Sequence, residues 1–148
     1  MKYKVLSVRQ PYASLLVSGV KDVENRSRRT SYRGLVLIHA SGKMHDIVAQ
    51  LEKMKSFGVR LSGIHKQIDA KTIVINTMPE REFSAIIGCV EIVDCVRDHP
   101  SEWAEKGQWN WLCKNAICFK NPITDVKGKL GLWDWEGNIP ELEERLCK

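Results

Sequence analysis

Between Leu6 and Ser41 the side-chain period changes twice in LSVRQPYASLLVSGVKDVENRSRRTSYRGLVLIHAS, and this stretch constrains the fold more than any other. Val5 to Arg9 has the alternation of a strand, and Gln10-Pro11 follows with proline suited to the first turn of a helix. Ala13, Leu16, Val17 and Val20 then recur at helical spacing, and Gly19 stands where a helix ends, so a short amphipathic helix is predicted from about Pro11 to Ser18. From Val23 to Arg28 the period returns to two. Glu24, Arg26 and Arg28 fall on one face, Val23, Asn25 and Ser27 on the other, and the charged face is expected to stay out of the core. A second apolar strand, Leu35 to His39, is entered through Ser31 and Gly34 and left through Ser41-Gly42.

Beyond this unit the signals thin out and then recover. Asp46 can cap a helix whose positions Ile47, Leu51 and Met54 share a face, and loops with a short helix are expected between Phe57 and Phe83. Ala85 to Val96 is long, β-branched and apolar, the composition of a central strand, with Gly88 marking a bulge or a close approach. Ser101 to Gly107 is predicted as a short helix capped by Ser101, and Ala116 to Phe119 and Val126 to Trp135 as further strands. Five or six strands with two or three inserted helices make a small β-barrel of α+β class. The 148 residues, without a long polar or Pro/Gly-rich interruption, suit one domain spanning positions 1–148.

No apolar run approaches the roughly 20 residues of a membrane helix, and the N-terminus enters strand-like alternation without a signal-peptide pattern. A soluble, cytoplasmic protein is the expectation. The five cysteines, Cys89, Cys95, Cys113, Cys118 and Cys147, form an odd set without a C-x-x-C pair, so neither a disulfide framework nor a zinc site is expected, and no cofactor is implied. Cys89, Cys95 and Cys118 stand in apolar runs as candidate buried thiols. The net charge of +5 is uneven: Met1 to Lys43 holds nine basic and two acidic residues, so the excess positive charge lies in the first third of the chain. Such a field attracts polyanions, although a solvated basic face has the same composition.

Lys21 follows the helix-ending glycine and precedes the strand that presents Glu24 and Arg26, so an amine, a carboxylate and a guanidinium can converge on a polar ligand or form a structural ion-pair cluster. The pattern Gln10-Pro11-Tyr12-Ala13, then Gly19, Lys21, Glu24 and Arg26, then Arg33-Gly34 with Ile38-His39, resembles the signature of the ASCH domain family. That resemblance implies a PUA-like barrel whose cleft is lined by the lysine and arginine. It also implies two classes of activity. Some small bacterial members are amidohydrolases acting on acetylated cytidine, and they carry threonine at the position of Glu24, where a hydroxyl beside a lysine serves acyl transfer. Glu24 in its place favours a protonated Lys21 and weakens that reading, leaving a carboxylate acting as general base on water.

Other members are linked to RNA or DNA as binding modules or ribonucleases. Phosphate contact calls for Arg9, Lys21, Arg26, Arg28, Arg29, Arg33 and Lys43, and base stacking for Tyr12, Tyr32, Trp109, Trp111 or Trp133, each of which also suits plain packing. Gln10 can read a base edge or tie down its turn. His39, closing an apolar strand, is a structural group or, with Lys21 or Glu24, an acid-base pair. The sequence therefore points first to an RNA- or nucleotide-binding domain with a basic cleft at Arg9, Gln10, Tyr12, Lys21, Glu24, Arg26 and His39. An amidohydrolase or ribonuclease in the same cleft, with Lys21, Glu24 and His39 as catalytic groups, is the alternative, and a protein-binding domain is the third.

Overall fold

A computed structural model describes residues 1–10, 12–41 and 83–146. Six strands form one mixed sheet: β1 (Lys2–Arg9), β2 (Val23–Arg26), β3 (Gly34–Ser41), β4 (Ala85–Val96), β5 (Trp109–Ile123) and β6 (Leu132–Glu136). Two short helices accompany them, α1 (Tyr12–Val17) and α2 (Pro140–Leu146). The strand order is β2-β5-β4-β3-β1-β6, with β1 and β3 parallel and the remaining neighbours antiparallel. The parallel pair needs a crossover, and the α1–β2 excursion supplies it.

The period-two pattern of β1 and β3 assigns their side chains to two faces. Leu6 and Val8 of β1, with Val36, Ile38 and Ala40 of β3, meet Ala13, Leu16 and Val17 of α1 in the larger core. Tyr3 and Val5, with Leu37, meet Ile139 and Leu142 from the α2 region, together with Phe119 and Trp133. Further along these second rows come Ser7 and His39, directly paired in register, and there the face turns polar. A cleft opens at that point.

The first helix forms where the sequence places it because Gln10 closes its start. The Gln10 Oε1 accepts from the Ser14 backbone N–H at 2.9 Å, and Nε2 donates to Ser14 Oγ at 2.9 Å. Gly19, at φ +82°, turns the chain out. Strand β4 has the predicted bounds, and Gly88 is a site of close approach: a Cβ there would meet the Ile117 carbonyl and lie 2.8 Å from Val17 Cβ. The pairing of β4 with β5 also shifts register between Ile86 and Gly88.

Four expectations are corrected. The described strands do not close into a barrel: β2 and β6 are the two edges of an open sheet. In place of a backbone ladder between β2 and β1, Arg26 Nη2 donates to the Ser7 carbonyl at 2.7 Å, a single side-chain stitch across the gap. Residues 101–107 form turns instead of a helix: Ser101 O takes the Ala104 N–H at 3.1 Å in a turn, and Asn25 Oδ1 takes at 3.0 Å the Glu105 N–H that a helix would send back to Ser101 O. The strand expected from Val126 begins only at Leu132, since Val126 N–H is spent on Ser84 O and Gly131 takes φ +65°. Cys118 is exposed, whereas Cys89, Cys95 and Cys113 are buried free thiols. The helix expected after Asp46 and the loops from Phe57 lie outside the described residues.

Candidate functional site

The cleft has a volume of about 750 Å³ and is lined from several directions. Ser7 and Arg9 come from β1, Glu24 and Arg26 from β2, His39 from β3, Tyr12 from α1, and Gly128 to Gly131 from the strap that precedes β6. Arg9 and Lys129 are exposed, and Arg26 is partly so. Among the described residues, three cations therefore line the hollow together with one carboxylate.

That carboxylate is committed. Glu24 Oε2 accepts from Arg26 Nε at 3.1 Å and from Nη2 at 2.8 Å, while Oε1 lies 3.5 Å from Lys21 Nζ. Lys21 is only 5% exposed and is absent from the cleft lining. Its ammonium donates to the Val23 carbonyl and stands 5.4 Å from the Tyr12 ring centroid. The three charges of the Lys-x-x-Glu-x-Arg cluster thus do converge, but as a layered triad: Arg26 and Glu24 at the cleft wall, Lys21 behind them. The charged side of β2, expected to avoid the core, is partly buried because the ions satisfy one another.

His39 lies at the cleft floor, 2% exposed. Its Nε2 is 2.6 Å from the Val126 carbonyl, and since a carbonyl only accepts, Nε2 carries the proton. Nδ1 then accepts from Ser7 Oγ at 3.2 Å, and Ser7 Oγ in turn accepts from Trp133 Nε1 at 3.2 Å. Burial pushes the His39 pKa below its ordinary value, against the opposing effect of the Val126 bond, so the neutral ring is favoured. Gly128 packs directly on this pair: a Cβ there would lie 2.8 Å from His39 Cε1 and 2.9 Å from Ser7 Oγ. The histidine is a tie that seats the strap. Tyr12 is held neutral, its phenol pushed up to about 12 by burial and then by the negative charges of Glu105 and Glu24.

The remaining sequence candidates separate. Gln10 is buried, with its amide on Ser14, and serves the turn. Arg33 folds back on the Thr30 and Tyr32 carbonyls at 3.1 and 2.9 Å and reaches Asp94 at 3.5 Å, away from the cleft. Arg28 is exposed outside the lining, its carbonyl taking Trp111 Nε1 at 3.0 Å. Lys43 lies outside the described residues. Trp111 and Trp133 are buried in the two cores, while Trp109 is only partly buried.

Sequence reasoning missed Ser7, Lys129 and the strap. The available signal was Gly128-Lys129-Leu130-Gly131, two glycines bracketing a cation and an apolar residue, which reads as a turn as readily as a strand. Leu130 is 98% exposed at the cleft rim. Among the described residues no group of three or more His, Cys, Asp or Glu is placed to hold a metal ion, and no helix is long and apolar enough to cross a membrane.

Fold and site together define a small α+β domain with a cationic, partly aromatic cleft at the open edge of a mixed sheet. The ASCH domain profile matches residues 6–123, and the chain belongs to that family. Among its relatives are proteins named activating signal cointegrator 1 from Mus musculus and Homo sapiens, each 30% identical over 144 residues. The match takes in 90% of this chain and 22% of either relative, so the chain spans about a fifth of their length.

Proposed function

We propose that the cleft binds RNA or a nucleotide-like ligand, with Arg9, Arg26 and Lys129 on phosphate and Tyr12 at its wall presenting a ring to a base. The observation that carries this reading is the placement of those three cations around one hollow whose carboxylate is already neutralised by Arg26 and Lys21. A phosphate entering there meets donors without competing against a free anion of the described lining. Membership of the ASCH family, which is associated with RNA binding, supports the same reading and, with it, a PUA-like architecture.

Binding has better support than catalysis. A lysine base must offer a lone pair, whereas Lys21 Nζ is turned as a donor to Val23 O and lies behind Glu24. Glu24 holds two cations, and both ring nitrogens of His39 are occupied within the fold.

Fluorescence anisotropy with a labelled single-stranded RNA of about ten nucleotides tests the proposal. Affinity is expected to fall steeply with salt, each phosphate contact adding about 0.7 to the slope of log K against log salt, and to drop on Arg9→Ala, Arg26→Ala and Lys129→Ala. Binding that ignores both salt and these substitutions would remove the basis of the proposal.

A further inference from the structure

Three neighbouring strands, β2, β5 and β4, bring a second cationic feature to one end of the sheet. Arg29 follows β2, Trp109 opens β5 and Arg97 follows β4, and because both pairings with β5 are antiparallel the three positions coincide in space. The Arg29 guanidinium carbon lies 5.7 Å from the Trp109 ring centroid and that of Arg97 lies 4.6 Å from it. Both arginines are exposed, and neither makes an ion pair among the described residues, although Asp98 is next in sequence to Arg97. The loop carrying Arg29 is fixed from below by the bond from Trp111 Nε1 to the Arg28 carbonyl.

One aromatic ring is thus attended by two like charges, neither of which is ion-paired to a carboxylate among the described residues. Attraction to the ring quadrupole holds each guanidinium in place but leaves its charge uncompensated. An anion beside either guanidinium would offset its charge, and an exposed guanidinium near a tryptophan ring offers a surface on which an unpaired base can stack. The cluster adjoins the cleft: Gln108 and Ser27, each next to or near one of its members in sequence, line that hollow.

We infer that Arg29, Trp109 and Arg97 form a second contact site that takes the phosphodiester chain and an unpaired base of a single-stranded nucleic acid where it leaves the cleft. This rests on the nucleotide-binding reading of the cleft and deepens it: the ligand is a polynucleotide strand and not a lone mononucleotide. The site recognises phosphate and base face, features RNA and DNA share, so the choice between them is left to the cleft.

The full chain is titrated with AMP and with labelled single strands of about ten nucleotides, one RNA and one DNA of the same sequence. Arg29→Ala and Arg97→Ala are each expected to weaken both oligonucleotides about three- to tenfold and to lower the salt slope by about 0.7, with AMP binding unchanged. Arg97→Lys keeps the slope and recovers only part of the affinity, because the charge survives and the stacking plane does not. Comparing the emission of the parent with Trp109→Phe reports whether Trp109 responds to the oligonucleotide. If Arg29→Ala and Arg97→Ala bind the oligonucleotides as the parent does while Arg26→Ala binds them more weakly, the second site is refuted and the cleft reading stands. If Arg97→Ala weakens binding and Arg26→Ala does not, the cluster stands and the cleft reading fails. If the parent binds neither AMP nor either oligonucleotide, both are overturned.

Discussion

Glu24 carries two cations on two oxygens, and the one behind it, Lys21, has almost no access to water. Removing the carboxylate leaves an ammonium buried against Val23 O and the Tyr12 ring, which cannot replace a counter-charge. Glu24→Ala is therefore expected to destabilise the fold by about 3–5 kcal/mol in urea denaturation, and the double change Lys21→Met with Glu24→Met to restore most of that loss. A loss below about 1 kcal/mol would mean that the triad is solvated after all. His39 supplies a pH test. Its folded-state pKa is lowered from 6.5, so below pH 6.5 the unfolded chain takes up a proton that the buried ring refuses. Stability from this group is complete above that pH and is lost as pH falls through it toward the lower folded value. Melting curves at descending pH should show a decline below pH 6.5 that is shallower in His39→Gln; equal slopes in parent and variant would assign the decline to other groups. The convergence of Lys21, Glu24 and Arg26 was legible in the sequence from period and spacing. The order of the layers was not, because spacing says which charges meet and not which of them reaches water.

At the scale of elements, legibility followed the strength of the local signal. β4 was readable as a long β-branched run and α1 from its apolar spacing, both of which report burial directly. The strap from Val126 was misread because alternation of Val126, Gly128 and Leu130 against Lys127 and Lys129 is the pattern of a strand, whereas the backbone hydrogen bonds that decide the matter go to Ser84 and His39. Those partners are distant in sequence, and no local pattern announces them. The same contacts make the strap testable through its two glycines. Gly128→Ala would drive a methyl into His39 and Ser7, lifting Lys129 from the cleft, whereas a Cβ at Gly131 meets nothing within 4 Å and faces only its φ of +65°. Gly128→Ala should cost about 1–3 kcal/mol and weaken oligonucleotide binding by at least about threefold, and Gly131→Ala should cost about 1 kcal/mol with affinity retained. Equal effects of the two on affinity would show that the strap does not position the cleft.

Over the whole molecule, the open sheet divides its work along one face. The odd-numbered rows of β1 and β3 begin under α2, where Tyr3, Val5 and Leu37 pack with Ile139 and Leu142, and run on into the polar floor at Ser7 and His39. One end of that face holds the sheet together and the other opens into the cleft; the stitch from Arg26 to Ser7 O stands where further strand pairing would have sealed it. The closed barrel implied by the strand tally was not a reading that local sequence could correct, since closure depends on whether two edges meet, a property of accumulated twist and not of any residue. This division predicts that stability and binding can be altered separately. Leu142 is 2% exposed in the α2 core and contributes nothing to the cleft lining. Leu142→Ala should therefore cost about 2–5 kcal/mol, the usual effect of emptying a leucine site in a packed core, while oligonucleotide affinity and its salt slope stay those of the parent at temperatures where the variant is folded. Chemical denaturation and anisotropy on the same preparation measure the two quantities side by side. A parallel fall in affinity would show that the packed end holds the cleft end in shape, and that the face acts as one cooperative unit.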